Sequence, residues 1–521
     1  MQSQHHSGHP GVLQAEVVHQ AEVAANLSDD ELDETKAMIA TKKNPHHHGR
    51  PPLAGRVSAL EVEDEHHGRG SVSAGIPLYK EDLGPQADNK FVKHGYQDAW
   101  AIVVFAVVML GTVACSVHTA ATSEHKLWFH AAMGAKDVPV LAISLVASIG
   151  FALASLFVMK SSPAGYIFFS QFLVVASWVA VGVRCLIDGL FYAGAFNLVV
   201  AVIYAMWAIG NVDRVPFAAL ILRTSVDINL RHWGSFLVGV VALFVTIAFS
   251  GAWSIVFERA INATQTTDSK DGSSMVPGLI AFGFVFVLFW GIQVGANVVH
   301  VTASGVVATW YFVGESRMPT TAVPANLKRS LTTSFGSICF GSAIVALLKT
   351  IYYFLRHAVR ASRHELLRVI AMCLLGIVER LTEMFNIYAF TQVAIYGHDF
   401  ITAAKQTFAL VKESGWSLII NDCLAWNAMA VTNVFGSIAI CAGAWIAGGP
   451  IVGLLSFLIA TAVFTIVFRP VYAGVATQFV CVAENPDAMA VANPEYGVAM
   501  NALKPADVGA QQEQAGGTQR V

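Results

Sequence analysis

The sequence predicts an all-α fold: a polytopic membrane helical bundle with disordered cytosolic tails. Of its 521 residues, 55% are hydrophobic and only 13% are charged, whereas soluble domains carry about a quarter charged residues. Long runs without charge recur along the chain, and a helix needs about 20 such residues to span a bilayer. Residues 1–95 and 484–521 are instead polar and lack an apolar periodicity, which is typical of disordered segments.

Composition also excludes several classes of function. A net charge of −3 without a basic domain argues against a nucleic-acid partner. The seven cysteines are scattered without a CxxC pair, so they are predicted to be buried apolar residues, and no cofactor is expected. The N-terminal tail contains His5, His6, His46–His48 and His66. A solvated tail is favoured over a metal site there, because no ligands recur at fixed spacing.

Nine apolar runs are predicted to cross the membrane. They are about 100–117, 138–159, 166–186, 190–210, 234–257, 276–312, 331–355, 424–447 and 450–468. No signal peptide precedes Trp100, so the first run is predicted to direct insertion and to leave residues 1–95 in the cytosol. Residues 213–233 are amphipathic and carry Arg214, Arg223 and Arg231, as expected of a helix at the cytosolic interface.

The excess of Lys and Arg in alternate loops agrees with a cytosolic N-terminus. In that orientation the sequon at Asn262 faces outward, where it is predicted to be glycosylated. A further apolar run, 369–396, is interrupted by Glu379, Arg380 and Glu383. The pattern leaves two interpretations open, a charged eighth span or a re-entrant or interfacial helix.

The sixth run has a polar face. Trp290, Gln293, Asn297, His300 and Ser304 follow one another at spacings of 3, 4, 3 and 4, which places them on one side of a helix. A polar face turned towards lipid would be costly, so it is predicted to meet other helices or a wet cavity. Hydrogen bonding between helices and the lining of a solute path both fit this pattern.

Several stretches together resemble the choline transporter-like family, most closely its Pns1-type branch from fungi and protists. They include QDAW (97–100), RVPFAALILRTSVDI (214–228), HVTASGVVATWYF (300–312), SLTTSFGSICFGSAIVALL (330–348), AAKQTF (403–408) and INDCL (420–424). The resemblance implies about ten transmembrane helices in a transporter domain at 96–483, with 369–396 as the eighth and both termini cytosolic. It also implies a facilitative carrier for choline or a related amine. The short loop after the first span suits the Pns1-type branch.

A choline carrier would recognise a quaternary ammonium through aromatic faces and a carboxylate. The predicted substrate-binding residues are Trp207, Tyr204, Trp290, Gln293, Asn297, His300, Glu379, Glu383, Asn386 and Tyr388. Glu379 or Glu383 is predicted to balance the ammonium while Arg380 pairs with the other carboxylate. The alternatives are interfacial or packed aromatic rings, an internal salt bridge and a hydrogen-bonded structural histidine.

Two other classes of function compete with a carrier. An enzyme of lipid metabolism is disfavoured because HExxH and GxSxG motifs are absent, and an ATP-driven pump because GxxxxGK is absent. A non-transporting interaction protein would use its tails as platforms. The expected location is the plasma membrane, with choline or a related small organic cation and membrane lipids as partners.

Overall fold

The structure is a computed structural model that describes residues 95–122, 137–267, 275–360, 365–485, 488–489 and 492–503. Regular secondary structure within these ranges is helical and includes no strand, which confirms the all-α class. The helices are α1 Ala99–Thr122, α2 Asp137–Ser161, α3 Pro163–Ile187, α4 Phe191–Gly210, α5 Val215–Arg231, α6 Gly234–Thr267, α7 Met275–Val313, α8 Ala322–Leu331, α9 Phe335–Arg360, α10 Glu365–Tyr396, α11 Phe400–Glu484 and α12 Pro494–Leu503. The His-rich residues of the N-terminal tail lie outside the described ranges.

Among the described residues, eight helices are long and apolar enough to cross a membrane. They are α1, α2, α3, α4, α6, α7, α9 and the part of α11 from Leu424 to Glu484. Large apolar side chains point away from the protein on these helices; Phe157 and Phe191 are 70% and 72% exposed. Apolar exposure of this extent suits hydrocarbon rather than water. The predicted polytopic membrane bundle is therefore confirmed.

Helix α11 contains two of the predicted spans, because the chain reverses within it. A straight helix of 85 residues would be about 130 Å long. Instead, Thr461 Oγ1 donates to the Oγ of Ser437, a residue 24 positions earlier, at 3.0 Å. The reversal occurs at Gly449, whose φ of +86° is a conformation that residues with a Cβ rarely adopt. The two arms, on either side of Gly449, correspond to the runs predicted at 424–447 and 450–468.

Helix α10 contains the charged run whose course the sequence left open. It is one continuous helix of 32 residues, about 48 Å long at 1.5 Å per residue. Successive contacts with α9 run in opposite chain directions: Lys349 with Glu383, Tyr352 with Thr382, and Arg356 with Glu379. This antiparallel course beside a membrane-length helix favours the charged-span interpretation over a re-entrant one.

Helix α5 is amphipathic as predicted, and protein covers its apolar side. Phe217, Ile221 and Val226 are buried in the main hydrophobic core. Ser225 and Asn229 donate to the carbonyl groups of Val471 and Pro470 in α11, at 2.5 and 3.2 Å. The missing N–H of Pro470 leaves the Ile466 carbonyl, four residues earlier, without its helical donor. The bonds from α5 are made to the next turn instead, and they tie α5 to the second arm of α11.

The QDAW stretch joins the beginnings of three helices. The Asp98 carboxylate, directly before α1, accepts hydrogen bonds from Ser337 Oγ of α9 at 2.9 Å and from the backbone N–H of Phe400 at 3.1 Å. Asp399 caps α11 by accepting from the Thr402 N–H at 2.8 Å. These charged acceptors satisfy N–H groups that a helix start leaves without an intrahelical partner.

The first part of the predicted C-terminal tail is helical. The Tyr496 ring of α12 lies edge-on to Trp310, with 5.4 Å between ring centroids. Just before α12, the Asn493 side chain donates to the Trp310 carbonyl at 3.1 Å and accepts from the Glu315 N–H at 3.0 Å. These contacts hold α12 on the end of α7 and explain why it is ordered. The predicted glycosylation site, Asn262, lies in the last part of α6, and its side chain lies outside the described part of the structure.

Candidate functional site

A cavity of about 270 Å³ lies within the bundle between α7, α9, α10 and the two arms of α11. Its volume is close to the lower end of the range for small-molecule pockets, about 300 Å³. Its lining combines aromatic, amide and charged side chains. The lining residues are Gln293, Asn297, His300, Val345, Lys349, Glu383, Asn386, Ile387, Phe390, Trp426, Met429, Ala430, Asn433, Thr465, Phe468, Arg469 and Tyr472.

The polar face of α7 serves two purposes. Gln293, Asn297 and His300 line the cavity, whereas Trp290 is buried and donates to the Cys339 carbonyl at 2.9 Å. Asn297 Nδ2 also donates to Ser342 Oγ at 2.9 Å. The face therefore forms hydrogen bonds between helices and also contributes to the cavity wall. That this wall lines a solute path stays a prediction.

His300 connects α7 to α10 at one end of the cavity. Its Nε2 lies 3.1 Å from Thr391 Oγ1 and 3.2 Å from the Ile387 carbonyl. Beyond it, Tyr388, Thr391 and Gln392 are completely buried. The Tyr396 hydroxyl and Gln392 Nε2 both donate to the Glu484 carboxylate. We call Gln392, Tyr396 and Glu484 the sealed end, because these hydrogen bonds join α10 to the last residue of α11.

Charged side chains of α10 meet cations from α9. Lys349 Nζ lies 2.9 Å from Glu383 Oε1, and both side chains are about one-third exposed or less, at 27% and 33%. Arg356 pairs with Glu379 further along the same two helices. The Arg380 guanidinium lies 3.4 Å from the centre of the Trp426 ring, a cation–π contact. Each carboxylate of this run thus has a cation from the neighbouring helix beside it.

Arg469 contributes a second cation to the cavity from the second arm of α11. Its Nε donates to the Ala296 carbonyl at 2.8 Å, and its Nη2 lies 3.4 Å from Asn297 Oδ1. Both acceptors belong to α7 and both are neutral. Among the described residues, no carboxylate forms an ion pair with Arg469. The side chain is partly exposed, and the surface it exposes borders the cavity.

The structure brings half of the predicted substrate-binding residues together at the cavity. These are Gln293, Asn297, His300, Glu383 and Asn386. The others lie elsewhere. Trp290 and Tyr388 are buried in packing, Glu379 pairs with Arg356 off the cavity wall, and Tyr204 and Trp207 lie in α4 with 5.5 Å between their ring centroids.

Several cavity residues were not predicted from the sequence. Lys349, Trp426, Asn433, Arg469 and Tyr472 all line it. One of them carried a usable signal, because an ionisable residue inside an apolar run is a functional candidate. Lys349 lies within the predicted seventh run, whereas Arg469 follows the predicted end of the last run at Phe468. Among the described residues, no group of three or more His, Cys, Asp or Glu side chains could hold a metal ion.

Comparison with known proteins places the chain in a family. The family model described as "Plasma-membrane choline transporter" matches residues 195–487, more than half of the chain. A CTL-like protein of Dictyostelium discoideum is 27% identical over 428 residues, which is 79% of this chain and 76% of the relative.

The fungal relatives are Pns1 proteins. Protein PNS1 of Kluyveromyces lactis is 26% identical over 472 residues, 84% of this chain and 85% of the relative. Protein PNS1 of Gibberella zeae is 30% identical over 330 residues, which is 58% of this chain and 60% of the relative. The matched region contains α5 to α11 and with them every residue that lines the cavity. The chain therefore belongs to the choline transporter-like family.

Proposed function

We propose that this protein is a facilitative carrier that moves choline or a related amine across a membrane by alternating access. The observation that carries the proposal is the cavity among α7, α9, α10 and α11, which combines aromatic, amide and charged groups inside an apolar bundle. Intramembrane ionisable groups that face a cavity are typical of solute pathways. A non-enzymatic role follows from the same proposal.

In this proposal, Glu383 supplies the negative charge that attracts the amine. A substrate ammonium would compete with Lys349 for the Glu383 carboxylate, which keeps binding reversible. The Coulomb attraction at about 5 Å and an effective dielectric constant of 20 is about 3 kcal/mol. Phe390, Phe468 and Tyr472 offer ring faces to methyl groups, and Asn386, Gln293 and Asn297 offer partners to a hydroxyl.

Alternating access would need the cavity to open at one end at a time. The sealed end joins α10 to the last residue of α11 through the Glu484 carboxylate. Because the N-terminus is proposed to be cytosolic, the sealed end would face the cytosol and the described state would be closed on that side. Rupture of these hydrogen bonds would then accompany release. The plasma membrane, two cytosolic termini and a glycan at Asn262 belong to this proposal.

The test is uptake of radiolabelled choline into proteoliposomes that contain the purified full-length protein. Empty liposomes are the control, and excess unlabelled choline, ethanolamine and carnitine are the competitors. We expect saturable uptake that unlabelled choline blocks. Absence of uptake by protein that still shows a sharp thermal unfolding transition would contradict a carrier of these amines. It would direct attention to an interaction role or to lipid metabolism.

A further inference from the structure

The charges that line the cavity do not balance for a simple cation. Glu383 is the one carboxylate among the lining residues that the structure describes, and Lys349 and Arg469 are both cations. Lys349 forms the 2.9 Å ion pair with Glu383, and the same carboxylate also attracts the Arg469 guanidinium, so one negative charge serves two cations. Arg469 adds a positive charge whose hydrogen-bond acceptors, the Ala296 carbonyl and Asn297 Oδ1, carry no charge.

A third cation, Arg380, lies close to the same wall. Arg380 covers one face of Trp426 at 3.4 Å from the ring centre, and Trp426 lines the cavity. That ring face is therefore already occupied by a cation and is closed to a substrate ammonium. A solute with only a positive charge would meet Arg469 without gaining this aromatic face.

Arg469 has the chemistry of an anion-binding group. A guanidinium carries five N–H donors in a planar fork that matches a carboxylate or a phosphate. Two of these donors point to α7, at the Ala296 and Asn297 oxygens, and the residue lines the cavity. The two bonds to α7 hold the guanidinium in place before a ligand arrives, which reduces the ordering that binding requires.

We propose that the cavity takes a small zwitterionic amine, with its anionic group on Arg469 and its ammonium at Glu383 and the aromatic wall. This inference rests on the proposed function and names the substrate class of the same cavity. The zwitterion leaves the net charge of the site unchanged: Glu383, Lys349 and Arg469 sum to +1 with or without it, whereas a bare ammonium brings the sum to +2. The anionic group is a carboxylate or a phosphate, and the experiment distinguishes the two.

Choline and glycine betaine provide a matched pair of probes, because they share a trimethylammonium group and differ in a hydroxymethyl or a carboxylate. Phosphocholine has the same trimethylammonium group and carries a phosphate on the choline hydroxyl. Binding of each probe to the purified full-length protein is measured in lipid nanodiscs by thermal unfolding across a concentration series. Uptake of each labelled probe into proteoliposomes is measured in parallel.

We expect glycine betaine or phosphocholine to bind at least tenfold more tightly than choline. Arg469→Gln should remove that preference, and Arg469→Lys, which keeps the charge, should retain part of it. Lys160→Gln is the matched control, since Lys160 pairs with Asp227 at 2.7 Å and does not line the cavity; it should leave the preference unchanged. If Arg469→Gln does not fold, the preference of the unmodified protein and the effect of Arg469→Lys still decide.

The outcomes separate this inference from the carrier proposal. Tighter binding of choline than of both zwitterions would overturn the inference while uptake of choline would sustain the carrier. Selective zwitterion binding without uptake of any probe would sustain the inference and overturn the carrier. An unchanged preference in Arg469→Gln, or no binding of any of the three probes, would overturn the inference.

Discussion

Two of the polar regions inside the helical bundle differ in charge. The cavity collects Lys349, Glu383 and Arg469 from three helices. The second region, which we call the Tyr204 cluster, consists of Gln171, Tyr204 and Asn427. There the Tyr204 hydroxyl donates to Gln171 Oε1 and accepts from Asn427 Nδ2 at 3.3 Å.

The comparison shows why polar residues in a span do not by themselves identify a site. The neutral groups of the Tyr204 cluster bond to one another, as polar groups commonly do between membrane helices. Charged groups are more expensive to bury and require either partners or a wet space. The cavity has both, because Lys349 and Glu383 pair while Arg469 borders open volume. The predictions below test whether function follows the charged region.

The largest effect is expected for Glu383→Gln. The change removes the carboxylate that lines the cavity and leaves Lys349 without its 2.9 Å partner. Uptake of the transported amine should fall at least tenfold, measured in proteoliposomes and normalised to the amount of folded protein. The double charge exchange Lys349→Glu with Glu383→Lys should recover part of the ion pair and of the folded yield. Unchanged uptake in Glu383→Gln would remove this residue as the counter-charge.

An intermediate effect is expected for Asn297→Ala. Asn297 Oδ1 is one of the two acceptors that hold Arg469, at 3.4 Å, and its Nδ2 donates to Ser342 at 2.9 Å. At 3.4 Å the bond to the Arg469 guanidinium is long, so we assign its loss about 1 kcal/mol, the value of an ordinary hydrogen bond, and uptake should fall several-fold. Ser342→Ala is the matched control, because it removes the bond to Ser342 and leaves the one to Arg469. Equal losses in both variants would show that Asn297 acts through helix packing alone.

The smallest effect on transport is expected for Tyr204→Phe. The substitution removes the bonds to Gln171 and Asn427 and keeps the ring against Trp207. The free energy of unfolding should fall by about 1 kcal/mol, visible as a lower thermal midpoint, while uptake stays within about twofold of the unmodified protein. A tenfold loss of uptake at preserved stability would move the Tyr204 cluster from packing to substrate binding.

The sequence predicted the helices well because membrane burial leaves a strong local signal. A bilayer has no water to satisfy backbone groups, so long apolar runs must be helical, and eight such helices are found among the described residues. The charged run 369–396 was ambiguous for the same reason, since Glu379, Arg380 and Glu383 conflict with the local rule. The contacts that favour a span come from α9, whose Lys349 and Arg356 supply cations to the two carboxylates.

Arg469 shows where the local signal misleads. The last run was predicted to end at Phe468, because an arginine and a proline follow directly. In the structure α11 continues to Glu484, and α5 packs against this part with hydrogen bonds from Ser225 to the Val471 carbonyl and from Asn229 to the Pro470 carbonyl. Ser225 is 246 positions from Val471 along the chain, and Asn229 is 241 positions from Pro470. No pattern around Arg469 indicates them.

Local sequence therefore specified the all-α membrane class, the positions of the helices and the polar face of α7, because each depends on residues within a few turns of one another. Tertiary structure decided which polar residues share a cavity. The contact of Arg469 with Asn297 joins positions 172 apart, and Lys349 and Glu383 come from different helices. Such contacts follow from how the helices pack, and a helical periodicity carries no information about the neighbour that its polar face will meet.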